Sequence, residues 1–407
     1  MKYLKIVQHF SLIGAVFFFL ASLIQVQAVE LKFIMCGGEV RAADQKVIDA
    51  FKASNSGVKI NMEAVPWGTC QDKSMTLAAA GDPVSIAYMG SRTLKQLGKN
   101  NLIVPVTISE KDQAKYQPGI LKTVSHLGKF WGFPHAFSTK ALFINCGMIE
   151  KAGMQCVAPH TWEGMYQMAK NVKDKLGIAG VGITGKDFDN TMHQFLNYLY
   201  SNGGQVIDPE TNKITLNSPQ TVEALEFYGK LATVAQEGPT AFERSQVKDL
   251  FNDEKVAMYI DGPWARGQHK KTIKTIAVPI PAGPSGTNGT LLITDSLAVF
   301  KGTGHENVAM ELARALSSGA AQYDLDSSWG LTPIMKYETF VDNPYYVNDS
   351  YWKVFVDPIG SGGPEPLFVE YKSLQTVMNS MIQGIILREG SAKDLVATAA
   401  EELEEFK

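Results

Sequence analysis

The one stretch with the spacing of a nucleotide-binding loop is the glycine-rich run 180–185, which matches GxGxxG. In dinucleotide-binding proteins this motif joins an early strand to a long helix and meets the pyrophosphate there. Here the run lies in the middle of the chain, after a helical pattern. We therefore interpret these glycines as residues that permit close packing and a turn, and we expect no dinucleotide cofactor.

No other pattern in the sequence predicts catalysis or metal binding. The chain has no HExxH, CxxC, P-loop or GxSxG motif, and its seven histidines do not have the spacing of metal ligands. We expect His135 and His193 to form hydrogen bonds or to pack. The sequence thus favours a binding protein without a metal or another cofactor.

The first residues have the layout of a signal peptide. Lys2 and Lys5 give a positive start, an apolar stretch spans 10–24, and cleavage-site residues end at Ala28. The apolar run is short for a membrane span, and no cysteine lies at the junction for a lipid anchor. We predict that residues 1–28 are removed after Ala28 and that the protein reaches the periplasm.

The charge of the mature chain excludes nucleic acid as a partner. The full sequence has 38 Lys and Arg against 41 Asp and Glu, and removal of Lys2 and Lys5 leaves 36 − 41 = −5. Proteins that bind DNA or RNA need a basic surface.

Strand and helix patterns alternate along the mature chain, which is typical of an α/β fold. The first region has apolar strand patterns at 31–35, 58–64 and 84–89 with helical patterns between them. A second region begins with the strand pattern 141–144 and contains helices that start at Thr161 and Ser218. Because the mature chain is too long for one ordinary core, we predict two α/β domains.

Four cysteines remain after export, and they allow three disulfide connectivities. Cys36 follows the first strand pattern and Cys70 the second, so parallel neighbouring strands would bring them to one sheet edge. Cys146 and Cys156 flank one short helical segment. We predict Cys36–Cys70 and Cys146–Cys156; four free thiols are the alternative.

Several blocks resemble extracellular solute-binding protein family 1, the sugar-binding family of ABC importers that includes maltose-binding protein. "VAMYIDGPWARGQ" at 256–268 and "AVPIPAGPSG" at 277–286 are similar to its G-P-W turn and P-x-P-G-P pair. Other similar blocks occur in the family's order at 78–106, 131–149, 161–176 and 197–232. The chain departs from the pattern at Ser138, where maltose-binding relatives place an acid.

The resemblance implies a two-lobe periplasmic-binding-protein fold of type II, with a ligand cleft between α/β lobes that close by hinge bending. Lobe one would comprise 29–138 plus 296–344, and lobe two 142–291 plus 347–407. The resemblance further implies a monomer that hands a sugar or polyol to the membrane permease of an ABC importer.

A sugar needs hydrogen-bonding groups for its hydroxyls and aromatic faces for its C–H surfaces. Trp264 occupies the family's stacking position, and the other candidates stand at strand ends, crossings and glycine turns. The predicted ligand-binding residues are Gly38, Glu39, Trp67, Ser91, Arg92, His135, Ser138, Gly262, Trp264, Arg266, Asp295, Trp329 and Glu365.

Two alternatives remain open on the sequence. Arg92, Lys140 and Arg266 suit an anionic solute such as an acidic sugar, a sulfo-sugar or a glycerol-phosphate-like molecule. A secreted carbohydrate-active enzyme would instead need two carboxyl groups on either side of one bond, and no such pair can be assigned. We predict a non-catalytic receptor for a mono- or disaccharide or a polyol.

Overall fold

The computed structural model describes residues 29–208, 211–286, 288–336, 346 and 349–406. The predicted signal peptide lies outside these residues. The strands are β1 Val29–Cys36, β2 Val58–Val65, β3 Ile86–Gly90, β4 Ser125–His126, β5 Lys129–Phe130, β6 Phe133–Ser138, β7 Ala141–Asn145, β8 Met258–Asp261, β9 Thr275–Val278, β10 Leu291–Val299 and β11 Gly363–Pro364.

The α-helices are α1 Ala42–Ser54, α2 Trp67–Ala79, α3 Ser91–Lys99, α4 Glu110–Gln113, α5 Ile120–Val124, α6 Cys146–Lys151, α7 Trp162–Leu176, α8 Asp189–Ser201, α9 Pro219–Ala232, α10 Arg244–Asn252, α11 Ala265–Gln268, α12 Glu306–Leu316, α13 Gly319–Trp329, α14 Lys353–Val356, α15 Tyr371–Leu387 and α16 Ala392–Glu405. Short 3₁₀ turns occupy Pro239–Ala241, Ser350–Trp352 and Asp357–Ser361.

The first sheet has the strand order β11-β10-β3-β1-β2, with β6 paired to β10. Strands β1, β2 and β3 are parallel, while β10 runs antiparallel to β3 and β6. The carboxyl ends of the parallel strands therefore meet at one edge, where ligands bind in open α/β sheets. Trp67 and Arg92 follow β2 and β3 at that edge.

The second sheet has the order β8-β7-β9, and both pairings are antiparallel. The glycine-rich segment 177–185 makes only isolated parallel bridges beside it, at Ala179, Val181 and Gly182. A Cβ atom on Gly180 would lie 1.9 Å from the carbonyl oxygen of Ala169 in α7, so this glycine permits close packing of the helix.

Each sheet is packed against its own hydrophobic core. Phe33, Leu97 and Leu312 lie in the core of the first sheet, and Phe195, Leu231 and Met378 in that of the second. Trp264 packs at the margin of the first core and of a smaller cluster around Phe251 beside the second sheet. On this basis we propose the lobe boundaries given above. Ile359 belongs to the range assigned to lobe two but packs in the first core.

Side-chain hydrogen bonds hold the segment where the chain passes from the first sheet to the second. The Thr139 hydroxyl donates to the carbonyl oxygen of Phe355 at 2.6 Å, and the Thr139 amide donates to the hydroxyl of Thr332. The next amide, that of Lys140, donates to Thr290 Oγ1 at 3.0 Å. Neighbouring chain crossings are thus tied together at one place.

Helix starts follow the predicted capping residues. The hydroxyls of Thr161 and Ser218 accept from the amides of Gly164 and Thr221, and Ser391 caps the last long helix in the same way. Sequence patterns did not indicate α13, which ends at Trp329 before the left-handed Gly330. No helix within the described ranges combines the length and apolar character that crossing a membrane requires.

The two predicted disulfides are confirmed. Cys36 and Cys70 are bonded with their Cα atoms 5.5 Å apart, because β1 and β2 are parallel neighbours. Cys146 and Cys156 are bonded across α6 with their Cα atoms 5.2 Å apart. The first bond links the end of β1 to the first turn of α2, the helix that begins at Trp67.

We expect removal of the Cys36–Cys70 disulfide to destabilise the fold more than removal of Cys146–Cys156. The sequence separations are 34 and 10 residues, and the longer loop gains more entropy in the unfolded chain. Chain-entropy arguments give a difference of about 1 kcal/mol in the free energy of unfolding. Urea denaturation of the paired substitutions Cys36→Ser/Cys70→Ser and Cys146→Ser/Cys156→Ser, which leave no unpaired thiol, measures it; equal losses would contradict the argument.

Candidate functional site

A cavity of about 520 Å³ lies between the two sheets. The first sheet and its helices contribute Trp67, Tyr88, Arg92, Asp295 and Trp329 to the wall. The segments around the second sheet contribute further lining residues, which include Lys140, Lys186, Phe188, Asp189, His193, Glu243, Arg244 and Trp264. The cavity therefore combines aromatic rings with charged side chains.

One wall of the cavity is aromatic. The rings of Trp67 and Trp329 are nearly parallel, with centroids 6.3 Å apart, and Tyr88 meets Trp67 edge-on at 5.3 Å. The guanidinium of Arg41 lies 3.3 Å from the ring centroid of Trp329 and supports it by a cation–π contact. Trp67 is 43% exposed, which is unusual for a large apolar ring and leaves it accessible to a solute.

Trp264 also lines the cavity and comes directly after β8 of the second sheet. Its ring folds back over Gly262, where an added Cβ atom would lie 2.4 Å from the ring. Only glycine at that position permits this orientation. The Lys140 ammonium lies 4.4 Å, and the Arg244 guanidinium 5.7 Å, from the Trp264 ring centroid.

A buried ion cluster centred on Arg92 forms another part of the wall. Its guanidinium contacts Asp189 at 3.0 Å, Glu365 at 3.2 Å and Asp295 at 3.6 Å. The side chain folds over Gly90, where a Cβ atom would lie 2.3 Å from Nη1. One cation thus links α3 of the first core to α8 and to the loop after β11.

Burial and Arg92 have opposite effects on the pKa values of the acids in this cluster. Burial raises the pKa of Asp295, and the Arg92 guanidinium offsets only part of that effect. Burial also raises the pKa of Glu365, but Arg92 and His193 outweigh this effect and hold that pKa below its usual range. His193 Nε2 lies 2.6 Å from Glu365 Oε1, and the Tyr88 hydroxyl donates to Asp295 at 2.9 Å.

A second charged group surrounds the end of β8. Both oxygens of the buried Asp261 accept from Arg244 Nη1, at 3.1 and 2.9 Å. Lys140 is also buried, and its ammonium donates to Ser138 Oγ at 3.1 Å. Burial lowers the pKa of Lys140 to about 8, an effect that Asp261 opposes and Arg244 reinforces.

The structure brings six of the predicted ligand-binding residues into the cavity wall: Trp67, Arg92, Ser138, Trp264, Asp295 and Trp329. Three others lie directly behind it. Glu365 contacts Arg92 and His193, Gly262 lies under the Trp264 ring, and the Ser91 hydroxyl shares a hydrogen bond with Ser296 at 2.8 Å. Their role in ligand binding stays a prediction.

The remaining predicted residues lie away from the cavity wall. His135 is fully buried in the first core, with Nε2 3.2 Å from Asp44 Oδ1. Gly38 and Glu39 are exposed on the loop after β1. Arg266 pairs with Asp349 and stacks on Tyr351 at another surface. These positions follow from chain turns that sequence spacing does not determine.

Charged lining residues such as Asp189 and Arg244 escaped the sequence analysis. Asp189 lies one helical turn before His193 on α8, and Arg244 opens α10 after the capping residue Glu243. The only available signal was their position at helix starts, where polar residues also serve as ordinary caps. Among the described residues, no group of three His, Cys, Asp or Glu side chains could hold a metal ion.

Comparison with known proteins adds to this geometry. Residues 37–323 match the family described as bacterial extracellular solute-binding protein. A Brucella abortus (strain 2308) protein, named as a binding protein without a stated solute, is 26% identical over 369 residues, which are 88% of this chain and 87% of that protein.

Solved structures share the fold. The maltose-bound MalE3 of T. maritima has a TM-score of 0.80 at 22% identity, covering 93% of this chain and 100% of that one. An ABC transporter solute-binding protein of Thermotoga lettingae, bound with α-D-tagatose, has a TM-score of 0.82 at 21% identity, covering 93% and 99%. These likenesses confirm the predicted two-lobe α/β architecture.

We expect Arg92→Met to destabilise the protein strongly. Removing one partner of a buried ion cluster leaves uncompensated charges, here those of Asp189, Asp295 and Glu365, and typically costs about 3–5 kcal/mol. The matched control is Arg266→Met, whose ion pair with Asp349 is exposed to solvent and screened, so about 0–1 kcal/mol should be lost. Denaturant unfolding compares the two variants; equal losses would show that the Arg92 cluster does not stabilise the fold.

Proposed function

Because the chain belongs to the bacterial extracellular solute-binding protein family, we propose that it captures a mono- or disaccharide or a polyol and delivers it to the permease of an ABC importer. The family match spans more than half of the chain, and members of this family bind solutes and are not enzymes. The predicted signal peptide, with cleavage after Ala28, supports delivery to the periplasm, where we propose that the protein acts as a monomer.

The observation that carries the proposed ligand class is the composition of the cavity wall. Trp67, Trp264 and Trp329 provide aromatic faces, and the ion clusters of Arg92 and Arg244 place fixed polar groups beside them. Pyranose C–H faces pack on aromatic rings, while the hydroxyls need paired donors and acceptors once water is excluded. A cavity of about 520 Å³ lies within the usual range for small-molecule sites.

We further propose that solute binding closes the two lobes around the hinge at Thr139 and Lys140. The bound solute would then contact aromatic rings of both lobes at once, which stabilises the closed form by its differential affinity. That closed form is the state proposed to dock on the permease.

The function is tested by exposing the exported protein to a panel of sugars and polyols. Binders are found by thermal shift, measured by titration calorimetry and recovered from the protein for mass spectrometry. We expect stoichiometric binding of a sugar that is recovered intact. Turnover of a glycoside would support an enzyme instead, and the absence of binding across the panel would overturn the proposed ligand class.

We expect Trp264→Ala to weaken sugar binding at least about tenfold, because loss of an aromatic anchor commonly costs about 2 kcal/mol or more. The control is Tyr166→Ala, which removes a ring that also meets a cation, Lys230 at 4.1 Å, but lies outside the cavity wall. Calorimetry on both folded variants gives the comparison. Unchanged affinity in Trp264→Ala would remove this ring from the binding site.

A further inference from the structure

Lys140 is a buried cation without a carboxylate partner. Its side chain lines the cavity, and the residue is only 6% exposed. The ammonium donates to Ser138 Oγ at 3.1 Å and lies over the Trp264 ring. Across the ranges that the structure describes, no carboxylate oxygen forms an ion pair with it within 4.0 Å.

The acids that act on Lys140 from neighbouring elements all have closer partners. Asp261 on β8 gives both oxygens to Arg244, and Oδ1 also accepts from the amide of Gly262. Asp295 on β10 is held by Tyr88 and Arg92. Glu365, after β11, is held by Arg92 and His193. The charged groups that face Lys140 are thus Asp261, Arg244, Asp295 and Glu365.

This arrangement leaves the Lys140 ammonium on the cavity wall without a directly paired anion. Burial of an ammonium is costly unless it is paired, and such a group either loses its proton or gains an anion. With its pKa lowered to about 8, Lys140 still carries its proton near neutral pH. Arg244 adds to the positive character, because only its Nη1 atom is bonded to Asp261.

We propose that Lys140 is the counter-ion for an anionic group of the bound solute, so that the cavity takes an acidic sugar. This inference rests on the proposed sugar-binding function and names the ligand class of the same site. The group that fits is a monoanion, a carboxylate or a sulfonate. A phosphate dianion would bring a second negative charge close to Asp261 and Asp295, which the single charge of the Lys140 ammonium does not neutralise.

Matched pairs of probes distinguish the contribution of the acidic group to binding from that of the sugar ring. The pairs are D-glucose with D-glucuronate, D-galactose with D-galacturonate, and D-glucose with its 6-sulfonate; D-glucose 6-phosphate tests the dianion. Calorimetry at pH 6.5 on the intact exported protein should show at least about tenfold tighter binding of one or more monoanions than of the neutral partner, the size of a charge-assisted hydrogen bond.

Lys140→Met should remove this preference and leave a residual affinity like that of the neutral sugar. The control Lys129→Met deletes an exposed charge on the β4–β5 hairpin and should change affinity for the acid less than about twofold, because distant surface charges are screened. Loss of acid binding in both variants would contradict a specific role for Lys140.

The pH profile of the unmodified protein provides a measurement that does not depend on a variant. Deprotonation of the ammonium above pH 8 should weaken binding of the acidic sugar, with affinity retained between pH 6 and 7. Binding of a neutral sugar should not show this loss, and Lys140→Met should abolish it.

The outcomes distinguish the two proposals. Neutral sugars that bind as tightly as their acids, or tighter, overturn the role of Lys140 and leave the sugar-binding function standing. Tighter binding of the 6-phosphate than of every monoanion overturns the charge assignment. A panel in which no sugar binds, neutral or acidic, overturns the proposed function and this inference with it.

Discussion

A buried guanidinium must be matched by carboxylates, and the placement of Arg92 follows from this requirement. The side chain leaves α3 of the first core and meets Asp189 of α8, Asp295 of β10 and Glu365 after β11. Desolvated charges tolerate little displacement, because each lost contact leaves a partner unpaired. In this conformation the cluster holds α8 and the Glu365 loop against the first sheet, and with them the Phe188 and His193 side of the cavity.

The aromatic walls depend on a different kind of support. Trp329 rests on the guanidinium of Arg41, Trp264 on the bare backbone of Gly262, and Trp67 starts the helix that the Cys36–Cys70 disulfide holds to β1. Each ring is held from behind by a group that does not line the cavity. Rigid rings lose little conformational freedom when a ligand binds, which favours affinity.

The two charged groups of the cavity wall differ in electrostatic character. Around Arg92, three carboxylates face one guanidinium and His193, so negative charge is in excess. In the other group, the single carboxylate of Asp261 interacts with two cations, Arg244 and Lys140. A solute with a monoanionic group for Lys140 and hydroxyls for the acids around Arg92 would be complementary to this difference.

The sequence determined the architecture of the protein, because its signals are local or sequential. Apolar periodicity placed β1, β2 and β3, and hydroxyl side chains marked the starts of α7 and α9. The parallel order of β1 and β2 was enough to pair Cys36 with Cys70. Ordered motifs identified the family, and the three tryptophans predicted as ligand-binding residues line the cavity.

Only the tertiary structure decided which charged residues share the cavity. Arg92 and Arg266 look alike in the sequence, yet one is buried among three acids and the other pairs with Asp349 at the surface. Separate elements bring Asp189, Arg244 and Glu365 to the site. Glu39 lies away from it, on a loop whose glycines have positive φ angles. The charge of a side chain follows from the sequence. Its desolvation and its ion pairs depend on distances between segments far apart in the chain, and only packing sets those distances.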